Sequence, residues 1–142
     1  MQEIKLSSSM EDYIKTIYLL ENSNKVARVS DIGRRLSVKK ASVVAAVSYL
    51  QKNELIKHER YGFITLTEPG KEIASKIEKK YSLAVDFLIN NLKVDPEKAK
   101  LEACLMEHSI SDETASKLAA FIKSNRPAKI SAVKKPVKKS KR

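Results

Sequence analysis

The stretch over residues 26–56, VARVSDIGRRLSVKKASVVAAVSYLQKNELI, constrains the fold more than any other part of the chain. Ser30 reads as the cap of a short helix over residues 31–36 that turns Ile32 and Leu36 inward. Ser37 and Val38 leave room only for a tight connection. A second helix follows over residues 40–53, with Val43, Val44, Val47 and Leu50 as its buried stripe. Two short helices joined this closely cross at a steep angle, and the second projects outward. Its early exposed positions, Lys39, Lys40, Ser42 and Ala46, are small, polar or cationic, which suits a helix lying against a phosphate-lined groove. Residues 55–60 and 63–66 then read as two strands around Tyr61-Gly62, a β-hairpin. A helix-turn-helix followed at once by a hairpin is the order of a winged helix. In that arrangement Lys39, Lys40 and Ser42 meet phosphates and base edges of double-stranded DNA, while Arg34, Arg35 and the wing's Arg60 hold the backbone.

Helical patterns flank this unit on both sides. Residues 9–22 carry Ser9 as a cap with Asp12 three positions on, and place Met10, Tyr13, Ile14, Ile17, Tyr18 and Leu20 on one face. After the hairpin, Thr67 caps a long helix that continues through Leu88 and is stopped by Asn90-Asn91. Asp95-Pro96 opens another, with Ala99, Ala103 and Met106 inward and its end near Glu107-His108. Ser111 caps the last, whose apolar residues are Leu118, Ala119, Phe121 and Ile122. A long helix leaving a small domain commonly serves dimerisation. The sequence therefore reads as mainly α: a winged helix-turn-helix over residues 1–70, an all-helical dimerisation domain over residues 71–123, and a tail over residues 124–142.

Charge narrows the partners. Lys and Arg number 28 against 17 Asp and Glu, a net +11 that favours polyanions, nucleic acid before membrane surfaces. Eight cations and no acid lie between Arg126 and Arg142, so the rest of the chain carries only +3. With Pro127 and Pro136 and hardly a large apolar side chain, the tail is expected to be disordered, either a solubilising end or a non-specific phosphate binder. The three glycines, Gly33, Gly62 and Gly70, are too scattered for a phosphate-cradling loop, which argues against a nucleotide-dependent enzyme. A single cysteine, Cys104, excludes an internal disulfide and fits a reducing cytoplasm. No apolar run approaches the roughly 20 residues that span a bilayer, and residues 1–9 are too polar for a secretory signal.

One constellation could carry metal chemistry. Cys104, Glu107 and His108 stand at i, i+3 and i+4, on one face of a helix. A thiolate, a carboxylate and an imidazole suit a divalent transition metal, with a fourth ligand from elsewhere. The same pattern also describes an ordinary helix end with a buried Cys, a solvated Glu and a His set against the dipole.

The runs SMEDYIKTIYLL, ARVSDIGRRLSVKKASVVAAVSYLQKNELI, LTEPGKEIA and CLMEHSIS, in this order, resemble the diphtheria toxin repressor and manganese transport regulator family over about residues 8–123. The resemblance implies a homodimeric repressor that binds operator DNA when loaded with Mn²⁺ or Fe²⁺, in a short form lacking the SH3-like domain of larger members. It implies that Asp12 occupies the first-helix ligand position, that Glu107 and His108 match the family's Glu-His pair, and that Cys104 matches a position that is Cys in iron-type members. Departures accompany it. The second first-helix carboxylate is Lys15, the long-helix histidine is Tyr81, and the ancillary positions fall near Val85 and Lys100. These imply one ion per protomer. They also leave open a metal-independent winged-helix regulator or architectural protein, with Lys15 partly replacing the cation.

Overall fold

A computed structural model describes residues 6–23, 26–59 and 62–126. Among these residues the order is α1 (Ser8–Asn22), α2 (Val29–Leu36), α3 (Lys40–Lys52), β1 (Ile56–His58), β2 (Ile64–Leu66), α4 (Glu68–Asp86), a π-helical turn (Phe87–Asn91), α5 (Pro96–Met106) and α6 (Asp112–Ser124). The fold is mainly helical with a two-stranded wing, as the sequence pattern requires. The chain divides into two units whose boundary, between Glu78 and Lys79, falls inside α4.

In the first unit α1, α2, α3 and the hairpin close around one core of Ile14, Ile17, Ile32, Val43, Leu50, Leu55 and Ile64, all essentially excluded from water. The cap of α1 is Ser7, whose side chain accepts the Met10 amide at 3.2 Å. Capping thus moves two residues upstream of the expected Ser9, because the run Ser7-Ser8-Ser9 offers three equivalent hydroxyls. Helix α2 begins at Val29, not after a Ser30 cap, and Arg28 caps it without a side-chain hydrogen bond. It ends on Ser37, whose left-handed backbone (φ 56°) turns the chain into α3. Gly33 lets the turn pass close: a Cβ there would stand 3.2 Å from the Val38 carbonyl oxygen.

The buried stripe of α3 is Val43, Ala46, Val47 and Leu50. Val44, expected inside, is 48% exposed, and Ala46, expected on the exposed side, is 1% exposed. A helix turns about 100° per residue, so positions 43, 46, 47 and 50 close one arc and 44 falls outside it.

The strands pair antiparallel, Ile56 opposite Leu66 and His58 opposite Ile64. Two further contacts fix the wing to the helices. The Ile64 amide donates to the Ala27 carbonyl at 2.8 Å, making residue 27 a bridge on the far side of β2. The Leu66 amide donates to Glu21 Oε2 at 2.9 Å, tying the end of α1 to β2. Thr67 then starts α4 by accepting the Gly70 amide at 3.2 Å and donating to the Glu54 carbonyl at 2.7 Å.

The second unit packs Ala84 and Leu88 against Ala99 and Ala103, with Tyr81, Val85, Phe87 and Ile89 around them. Asn90-Asn91 does not simply stop the long helix. The chain widens to π pitch over Phe87–Asn91, with the Leu92 amide reaching the Phe87 carbonyl at 3.1 Å. Asp95 caps α5 through the Lys98 amide at 3.3 Å, and Pro96 occupies its first turn. Ser111 caps α6 through the Thr114 amide at 3.0 Å. On α6 it is Ala115 and Ile122 that are buried, while Phe121 stays half exposed with its ring edge-on to Phe87 at 6.0 Å. Arg126, expected to open the tail, pairs with Asp86 at 3.2 Å; residues 127–142 lie outside the described residues. No helix among the described residues is long and apolar enough to cross a membrane.

Candidate nucleic-acid face and metal centre

The projecting helix α3 presents Lys40, Ser42, Val44 and Tyr49 to solvent, with Lys39 exposed at its cap. Arg34 and Arg35 are exposed on the last turn of α2. Arg34 is held by Asp31, Nη1 to Oδ1 at 3.4 Å, one turn away on α2. Arg60, expected to act from the wing tip, lies outside the described residues.

Between α2, the turn, the start of α3 and the wing lies an open groove of about 570 Å³, lined by Arg28, Arg34, Lys40 and His58 and, among the described residues, by no carboxylate. Arg28 is a residue that sequence reasoning misses. Its guanidinium lies 4.8 Å from the centre of the Phe63 ring, an arrangement that holds a cation in place without neutralising it. The signal is present in Val26-Ala27-Arg28-Val29, an apolar frame around one arginine, with its first three residues running extended against β2 before α2 begins. His58 is exposed on β1 and also lines this groove. Arginine and lysine side chains along a groove beside an exposed helix suit a phosphate backbone.

In the second unit α5 ends at Met106, so Glu107 is its C-cap and His108 sits in the turn beyond. The Glu107 amide still reaches back to the Ala103 carbonyl at 2.9 Å. Its carboxylate is carried inward: Glu107 is 2% exposed, the only charged residue among the described ones to be so buried. A carboxylate removed from water is stable only with compensating polar or cationic partners. His108 supplies an imidazole, Nε2 to Oε2 at 3.6 Å, itself almost out of solvent. Two ligands bonded at about 2.1 Å to one ion stand about 3.0–3.5 Å apart, close to the 3.6 Å spacing of this pair. The donors of Glu107 and His108 lie within 4.8 Å of one another, a set that leaves out Cys104. Cys104 is on the exposed side of α5, one turn earlier. Helical spacing places Cys104 and Glu107 a turn apart, but His108 lies past the helix end and is oriented by the turn. Asp12 belongs to the first unit, half-buried on α1 beside the core residues Tyr13 and Ile14.

Comparison with known proteins gives this arrangement a context. Residues 5–63 match the family described as iron dependent repressor, N-terminal DNA binding domain, and residues 67–127 the one described as iron dependent repressor, metal binding and dimerisation domain. An HTH-type transcriptional regulator of Methanocaldococcus jannaschii is 35% identical over 118 residues, 82% of this chain and 94% of that protein. Among solved structures, the manganese regulator SloR superposes with a TM-score of 0.73 at 27% identity, over 86% of this chain and 56% of its own. ScaR with bound Zn²⁺ gives a TM-score of 0.71 at 25% identity, over 82% of this chain and 54% of its own. The chain thus spans about half the length of these solved relatives. With both domains matched in series and a relative aligned almost end to end, the chain belongs to the iron-dependent repressor family, the diphtheria toxin repressor and manganese transport regulator group of metal-responsive, DNA-binding transcription regulators.

Proposed function

We propose that the chain is a cytoplasmic, homodimeric repressor of metal-uptake genes that binds operator DNA when one Mn²⁺ or Fe²⁺ ion is loaded per protomer. The observation that carries this is the buried Glu107 carboxylate facing His108 at 3.6 Å in a chain whose first unit offers a cationic winged-helix face. In this reading Glu107 and His108 are two ligands, Asp12 is the third from α1, and Cys104 joins on a rotation of its side chain. A bound divalent cation would supply the positive charge that compensates the buried Glu107 carboxylate. Lys39, Lys40 and Ser42 then read phosphates and base edges, while Arg28, Arg34, Arg35 and the wing's Arg60 hold the backbone. Leu101 and Leu105, 71% and 72% exposed one turn apart on α5, supply the core of the dimer interface. A two-fold dimer presents its α3 helices to successive major-groove half-sites, about 34 Å apart or a multiple of that. Such a ligand acts only through its preference for the DNA-competent arrangement.

The test is fluorescence anisotropy on a duplex selected from random DNA, with Mn²⁺, with anaerobic Fe²⁺ and with chelator, repeated on His108→Ala. The metals should tighten DNA binding about tenfold or more, and His108→Ala should abolish that gain while keeping the chelator-level affinity. Calorimetry should count one ion per protomer. Equal DNA affinity under all these conditions would leave a metal-independent winged-helix protein.

A further inference from the structure

We infer that Lys80 is a positioning residue that holds the Glu107–His108 turn in shape for its ion; this rests on the reading of that turn as metal ligands. The segment joining α5 to α6 is short, and its two ends are gripped by different partners. On the near side the Ser109 and Ile110 amides both donate to the Met106 carbonyl, at 2.9 and 3.1 Å, folding the turn back on the end of α5. On the far side the Lys80 ammonium donates to the Ile110 carbonyl at 2.9 Å and pairs with Asp112 Oδ1 at 3.1 Å. Glu107 and His108 lie between these two anchors.

Lys80 differs from the surface lysines around it. Its side chain is only 18% exposed, whereas Lys76 and Lys79 on the same helix are exposed. Burying an ammonium is costly unless its hydrogen bonds are made to strong acceptors. Here one carbonyl and one carboxylate serve, from the last residues of the turn and the first of α6. Helix α4 thereby fixes where α6 begins, and so the path left for residues 107–111. A group that orients ligands without touching the ion commonly changes metal affinity by about 10–100-fold.

The experiment titrates Mn²⁺ into the full-length protein, with free ion tracked by electron paramagnetic resonance, and compares wild type, Lys80→Met, Lys80→Arg, Asp112→Asn and His108→Ala. Lys80→Met should weaken Mn²⁺ about tenfold, Asp112→Asn by less, and Lys80→Arg, which can reach both acceptors, should stay near wild type. DNA affinity of the fully Mn²⁺-loaded Lys80→Met protein should stay within about twofold of wild type, because the loaded ion itself holds the turn. A purely structural tie would instead lower the metal-free melting temperature and leave the Mn²⁺ midpoint in place, which would overturn the proposal. Asp112→Asn keeps the ammonium and serves as the readout if Lys80→Met does not fold; an unmoved midpoint there overturns the proposal as well. If His108→Ala binds Mn²⁺ as wild type does, the ligand reading itself falls. Loss of binding in His108→Ala with no shift in the other variants removes the role of Lys80 alone.

Discussion

Gly70→Ala sets helix propensity against packing, and the two give opposite signs. In an unobstructed helix the change stabilises by up to about 1 kcal/mol. Gly70, however, is buried in the first turn of α4, where a Cβ would fall inside the van der Waals envelope of the Leu55 carbonyl oxygen. It would also stand 3.1 Å from the Leu55 carbonyl carbon and 3.2 Å from Leu66 Cδ2. The obstacle is mostly backbone, so no rotamer change removes it. Leu55 is fully buried, and its carbonyl accepts the Thr67 amide at 3.1 Å. Relief requires the backbone at Leu55 to move away from α4. That stretches a hydrogen bond worth about 0.5–1.5 kcal/mol and adds an overpacking cost of about 1–3 kcal/mol. After a propensity gain of about 1 kcal/mol, the net loss is about 0.5–3.5 kcal/mol. The same backbone leads into β1, so the wing shifts and DNA affinity falls, while the number of Mn²⁺ ions bound stays the same. Urea unfolding measures the stability change, with Ser75→Ala, exposed on the same helix, as the propensity control. Unfolding of Gly70→Ala at or above the wild-type midpoint would refute the packing argument.

The two exposed surfaces carry one expected outcome each. Arg28→Ala should weaken DNA binding about evenly across sequences and reduce the salt slope by about one; anisotropy at several salt concentrations measures it, and an unchanged slope removes Arg28 from the phosphate contacts. Leu105→Glu buries two charges across a symmetric interface, so sedimentation at micromolar concentration should find monomers, and an intact dimer would relocate the interface.

Much of the fold is legible in the sequence because local signals agree. The helix-turn-helix comes from the apolar spacing on either side of Ser37-Val38, and the hairpin from strand-like runs around Gly62. Elsewhere a local rule has several equal candidates or loses to geometry. Three consecutive serines make the cap of α1 ambiguous, and only the fold selects Ser7. Val44 looks like core by side-chain type, but α3 turns it outward and brings Ala46 in. Arg28 cannot be assigned to the cationic groove without knowing that Ala27 bridges to Ile64. At the metal-ligand pattern the sequence offers one helical face, whereas α5 stops at Met106 and hands the orientation of His108 to a turn. The burial of Glu107 is invisible in the sequence, which reads a glutamate near a helix end as solvated.

The widened turn at Phe87–Asn91 bears on what lengths this part of the chain tolerates. A π turn holds more residues than an α turn, and here it closes the long helix before the connection to α5. Deleting a single codon there would let the coil tighten to ordinary pitch and rotate the downstream residues by about 100°. The Val94 amide, which donates to the Leu88 carbonyl at 2.8 Å, would then be turned away from it just before α5. Insertions and deletions that most surface connections absorb would be purged at this spot, even though none of its side chains is proposed to touch DNA or metal.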